Sequence, residues 1–166
     1  MSGNIFSPTY MIANLAGFTL IILAITRPNT TRWIFSFVFT GAAAFNALTA
    51  AYSPEDYLGY ADIAGLAVYE DFINGFFSRH IRAIVLSIAG AQMFVGMSIT
   101  GRAAISNIAL GGAAFFLLAI APLGAGSAFP STVLMAAACI ILIFKKKRSL
   151  TNLPLLKNRV ADSGQM

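Results

Sequence analysis

Charged side chains are scarce, at 10% of the 166 residues, against about 25% in an ordinary soluble chain. Their absence is also local: residues 1–26 and 103–144 contain no Asp, Glu, Lys or Arg. Such gaps exclude a disordered chain and a soluble enzyme of the usual kind, because neither can leave runs of this length without charge in water. Cysteine is confined to Cys139 and histidine to His80. That excludes a disulfide framework, haem held by paired histidines and a zinc site built from this chain's Cys and His alone. The sequence also has no Walker loop, dinucleotide fingerprint, HExxH or GxSxG. No cofactor, metal or catalytic residue is therefore assigned.

What is present is apolar. Hydrophobic residues make up 58% of the chain, and they fall into stretches near the length of about 20 residues that a helix needs to cross a hydrocarbon core. The stretches run over about 10–26, 33–52, 81–100, 103–121 and 128–144. Breakers separate them: Arg27-Pro28-Asn29, Ser53-Pro54, Gly101-Arg102, and the interval from Pro122 to Pro130. The spacing predicts an all-α fold, a polytopic transmembrane helix bundle of about five spans within residues 1–148. Residues 149–166 form a tail. The last span is short, and Lys145 to Arg148 can extend their stems along it while their charges stay in the interface.

Seven of the eleven basic residues (Arg27, Arg32, Arg102, Lys145, Lys146, Lys147 and Arg148) sit at the ends of apolar stretches, as lipid-facing topology signals do and as a nucleic-acid surface does not. The partner implied is a lipid bilayer, with no nucleic acid. Five crossings with the amino terminus outside place all seven on the cytoplasmic face of the cell membrane, and only Arg79 and Arg82 dissent. With no Lys or Arg before it, the first stretch reads as an uncleaved anchor rather than a secretory signal. Tyr10, Trp33, Tyr52 and Tyr57 lie near span ends, as in an aromatic belt.

Residues 53–78 carry five carboxylates, with Ile63, Leu66, Phe72, Ile73, Phe76 and Phe77 at three- and four-residue intervals. That predicts an amphipathic segment on the outer face between spans 2 and 3, broken near Gly65, which caps the bundle or serves as a docking surface. Inside the spans, Asn14, Asn46, Gln92 and Asn107 give one amide to each of the first four helices. Counting from the span ends puts Asn14 and Asn46 near the outer face, where they can meet, and puts Gln92 and Asn107 nearer the other side. Interhelical amide hydrogen bonds of about 1 kcal/mol fix helix register without any chemistry. The same amides could instead line a path for a solute or ion. Glu70 and Asp71 can pair with Arg79 or Arg82 at the outer mouth, and His80 beside them is the group that titrates nearest neutral pH or caps the third span. Cys139 reads as a small packing residue. Small residues at 41–44 and at Gly90, Gly96, Gly111 and Gly112 predict close helix packing.

The order of elements resembles the DoxX-like membrane proteins. An apolar bundle is followed by a tyrosine-containing outer segment (Tyr60-Ala61-Asp62 and Val68-Tyr69-Glu70-Asp71-Phe72) and a glycine-bearing helix that ends at Gly101-Arg102, over about residues 30–123. The resemblance implies a four-helix membrane bundle, some members of which are linked to quinone-dependent sulfur redox chemistry or oxidative-stress complexes. This chain departs from the pattern in lacking a cysteine pair and in having an additional helix, so no redox role passes to particular residues. The expected function is a non-catalytic or accessory bundle that packs in a homo-oligomer or against a membrane-protein partner. The alternatives are a small transporter or channel, and a quinone-linked membrane oxidoreductase component.

Overall fold

The computed structural model describes residues 8–145, which are helical apart from short turns, with no strand among the described residues. The basic residues 146–148 and the expected tail 149–166 lie outside them. Helix α1 (Pro8–Thr26) turns at Arg27 directly into α2 (Pro28–Tyr52). A 3-10 segment (Pro54–Ile63) leads through Ala64 to Leu66 into the short α3 (Ala67–Phe72), which runs on as a wider π turn (Ile73–Phe77). Helices α4 (Ile81–Ile99), α5 (Ala103–Ile120) and α6 (Ser131–Phe144) complete the chain. The break expected near Gly65 and the one expected between Pro122 and Pro130 are both present. Three helices are long and apolar enough to cross a membrane: α2, α4, and α5 taken on to Gly124. The apolar parts of α1 and α6 are shorter. With 14 residues, α6 rises only about 21 Å.

Proline sets one boundary differently from expectation. Pro28 stops α1, but it also occupies the first turn of α2, where its fixed φ and missing N–H cost nothing. The second helix therefore begins at 28 rather than 33, and Arg32 lies inside it. Arg32 is not a headgroup-facing signal. It is 3% exposed, and its Nη2 donates to the carbonyls of Leu142 (2.7 Å) and Lys145 (3.1 Å) at the end of α6. Four carbonyls at a helix C-terminus have no intrahelical donor, and a cation is favoured there. The same need is met elsewhere by other neighbours: Ser106 Oγ donates to Ile99 O at the end of α4, and Tyr69 Oη to Ala119 O at the end of α5.

Helix α4 packs against both α2 and α5, and α6 against both α5 and α1, around one core of Phe35, Phe39, Ile99, Leu110, Cys139, Leu142 and their neighbours. Cys139 is fully buried there, as its reading as a packing residue requires. The α2–α4 seam is close because Gly96 lies against Ser36 and Thr40, where a Cβ would come within 2.4 Å of Thr40 Oγ1. Ser36 Oγ donates across it to Gly96 O at 2.6 Å. Gly41, Gly90 and Gly111 have nothing within 4 Å, so the small residues split between a packed seam and the outer surface. Ser131 Oγ donates to Ala13 O at 2.8 Å, which sets the starts of α1 and α6 side by side. Successive long helices alternate in direction. Residues 54–77 and the starts of α1 and α6 therefore share one end, while Arg27, Arg102 and Lys145 share the other.

Candidate functional site

Under the 54–77 segment a second apolar cluster forms from Ala50, Ala61, Ile73, Phe77 and Val85. The segment is placed by a backbone bond from Gly65 N to Pro122 O (2.9 Å) and by the Tyr69 hydroxyl on Ala119 O (2.5 Å). Gly124 takes φ +63° in the opposing turn, a backbone that glycine adopts without a Cβ penalty. Between this cap, α4 and α5 lies a half-open cavity of about 290 Å³, walled by aromatic and aliphatic side chains including Tyr60, Phe72, Ile88, Phe116 and Ile120.

Its polar lining is Tyr57, Tyr60, Tyr69, Asn46, Gln92 and Ser127, three of which form a chain. Tyr57 Oη donates to Asn46 Oδ1 at 2.8 Å, and Asn46 Nδ2 donates to Gln92 Oε1 at 2.7 Å. Tyr57 also packs on Tyr60 and edge-on to Phe77. Burial holds the Tyr57 phenol above its ordinary value, the Thr49 hydroxyl opposes this in part, and negative charge on Tyr60 and Asp56 adds to it. The phenol therefore stays a neutral donor through the physiological range. Gln92 is 6% exposed and ends the chain. Its Oε1 accepts from Asn46, and the residue lines the cavity.

Of the four intramembrane amides read from the sequence, two meet here and two do not. Asn14 does not meet Asn46; its Nδ2 donates to Tyr10 O one turn back, and its buried Oδ1 has no partner. Asn107 is exposed on α5. Gln92 pairs with Asn46 at one level, although counting from the helix ends put them at different depths. That count places backbones and leaves out the reach of the side chains. The contact of Gly96 with Ser36 and Thr40 gives nearly that register, with Gln92 about a turn from Asn46, and the two amide side chains span the turn.

The outer-mouth candidates Glu70, Asp71, Arg79, His80 and Arg82 are all exposed, and no ion pair joins them among the described residues. The chain does not fold back to bring carboxylate and guanidinium together. His80 sits just before α4 but makes no side-chain cap; its Nδ1 lies 3.0 Å from Phe76 O and its ring stacks on Phe76 at 4.6 Å. Within the cap, Ile73 and Phe77 face inward, whereas Leu66, Phe72 and Phe76 stay largely exposed. Sequence reasoning missed the part played by Tyr57, read as a belt residue. The signal available was its place just past Pro54, which turns the chain back over the last turns of α2.

No family model, no curated protein and no solved structure matches the chain.

Proposed function

We propose that the chain is a polytopic membrane protein whose bundle is non-catalytic and binds a small apolar molecule in the capped cavity, as an accessory subunit of a membrane complex or as a homo-oligomer. In this proposal five helices cross the cell membrane, the capped end faces outward and the Lys145 end faces the cytosol. The observation that carries the binding function is the hydrogen-bonded Tyr57–Asn46–Gln92 chain in the wall of a mostly apolar cavity. Convergent polar groups in the wall of an apolar pocket are what fixes the orientation of a bound molecule. The lining holds no carboxylate, histidine, lysine or cysteine to act as a base beside its tyrosine and Ser127 hydroxyls, so the site favours binding over proton transfer or nucleophilic attack. Conduction draws less support, since Asn14 and Asn107 stand apart from the pair.

Support for the membrane setting comes from the surface. Large apolar side chains stand exposed on all five long helices, Phe37 at 71% and Phe115 at 76% among them, whereas soluble monomers rarely expose continuous apolar surface beyond a few hundred Å². The test is native mass spectrometry after extraction from native membranes in mild detergent. A bound small apolar molecule and a stoichiometric partner or homo-oligomer are expected. Ile120→Trp, which puts a larger ring into the cavity wall, should weaken retention of the small molecule and keep the assembly. A bare monomer from both forms refutes the proposal.

A further inference from the structure

Asn107 stands out among the polar side chains of the long helices. Of the other three amides there, Asn46 and Gln92 bond to one another and Asn14 donates to Tyr10 O. The exposed hydroxyls of Thr19, Thr26 and Ser87 each donate to the carbonyl four residues back in their own helix, which is how a lipid-facing polar group is satisfied without a partner. Asn107 is exposed, and its amide makes no hydrogen bond among the described residues. It lies just over one turn past the start of α5, in a stretch long and apolar enough to cross a membrane. In the membrane setting proposed above, its donor and its acceptor both face lipid unmet, which is costly.

The surface around Asn107 is shaped for another helix. Ala104, Gly111 and Leu118 follow one another at seven-residue steps on its side of α5. A Cβ at Gly111 would meet nothing within 4 Å, and one at Gly112 only Val95 Cγ2 at 4.0 Å. Ile108 and Phe115 stand exposed beside these glycines. The face is thus a notch flanked by ridges, where a second backbone can come close. Phe116, in the cavity wall, is nine residues past Asn107 and so half a turn around the helix; a partner on the notch leaves the cavity alone.

We infer that a second copy of this chain packs here, α5 against α5 across a two-fold axis along the membrane normal, with Asn107 of each copy bonded to Asn107 of the other. This names the interface of the homo-oligomer in the function proposed above and rests on that membrane setting. Chemistry selects a second copy over another helix. An amide is both donor and acceptor, so two of them across a two-fold axis satisfy each other, Nδ2 to Oδ1 in both directions. Copies inserted the same way up carry Asn107 at the same depth, whereas an unrelated helix needs a polar group placed there independently. Residues 103–144 hold no charged side chain, so the two faces meet without repulsion.

The test labels the full chain with donor and acceptor fluorophores and dilutes it in liposomes by raising the ratio of lipid to protein. Energy transfer should fall along a monomer–dimer curve. Asn107→Leu should weaken the dimer about tenfold, as expected for the paired amide bonds in lipid, and Asn107→Gln should recover much of the loss. Gly111→Leu, which fills the notch, should weaken it further. In native membranes, oxidation of Ala104→Cys should give a disulfide-linked product of twice the chain's mass. Met97→Cys, at the same end but on the exposed face of α4, should give none, and the buried Cys139 takes no part. Should the position 107 or 111 variants fail to insert, the cross-links at 104 and 97 decide alone. Equal transfer from wild type and Asn107→Leu overturns the inference, as does a wild type that stays monomeric or cross-links at 97 rather than 104. A small molecule or another partner kept in the native extract then leaves the proposed function standing. A bare monomer there overturns both.

Discussion

Tyr57 joins the cap to the bundle through a single proton. Its phenol is held above the ordinary value of 10.0, chiefly by burial, so the folded protein keeps that proton more tightly than the unfolded chain does. The stabilisation this brings is fully present below about pH 10 and is lost as the pH rises towards the folded value. Thermal midpoints of the wild type in detergent should therefore hold level up to that pH and fall above it, and Tyr57→Phe should fall less over the same interval. The other tyrosines titrate in both proteins, so the difference belongs to Tyr57, and parallel curves would show that the proton carries no folding energy. At this scale the sequence was only partly informative. Asn46 and Gln92 stood out because amides in apolar helices are rare and expensive. Tyr57 did not, since a tyrosine near a span end is what a lipid interface also selects. Arg32 was misplaced for a similar reason: an arginine at the start of an apolar stretch looks the same whether it faces a headgroup or caps a neighbouring helix.

Helix positions were legible because breakers and apolar length act along one segment at a time. Pro54, Gly101-Arg102 and Pro122 to Pro130 each separate elements where their backbone preferences require. How the helices sit against one another was not legible, since it depends on which small residues face a neighbour. Two glycines on α4, six residues apart, separate the two cases. At Gly96 a Cβ would meet Thr40 N at 2.9 Å and Ser36 O at 3.0 Å, backbone atoms that have nowhere to go. At Gly90 there is nothing within 4 Å. Gly96→Ala should lower stability by about 1–3 kcal/mol through overpacking of the α2–α4 seam. Gly90→Ala should be neutral or stabilising by about 0.5–1 kcal/mol, because it restricts the unfolded chain and crowds nothing. Unfolding by titration with a denaturing detergent measures both, and equal effects at the two positions would mean that the seam is not close-packed. The same seam fixes the height of Gln92 against Asn46, so Gly96→Ala should also weaken retention of the small molecule at the cavity.

Across the whole molecule, charge is sorted by end. Arg27, Arg102 and Lys145 are exposed at one end of the bundle, while Glu55, Asp56, Asp62, Glu70 and Asp71 belong to the other, with Arg79 and Arg82 among them. The positive-inside bias counts Lys and Arg near helix ends and gives little weight to carboxylates. Arg79 and Arg82 are therefore the real opposition to an outward cap, and the acidic residues do not cancel them. The proposed orientation is decided by the fuller basic set at the Lys145 end, to which residues 146–148 add in sequence. A direct measurement uses single cysteines and a membrane-impermeant maleimide. The native Cys139 is fully buried and should stay silent, so Asp71→Cys on the cap and Arg102→Cys in the α4–α5 turn each report alone. In intact cells the maleimide should label Asp71→Cys and leave Arg102→Cys untouched until the membrane is permeabilised. The reverse pattern would invert the protein and move the cavity mouth to the cytosolic side. Labelling of both from outside would break the alternation of α4 and α5 across the bilayer, because one helix separates the two positions.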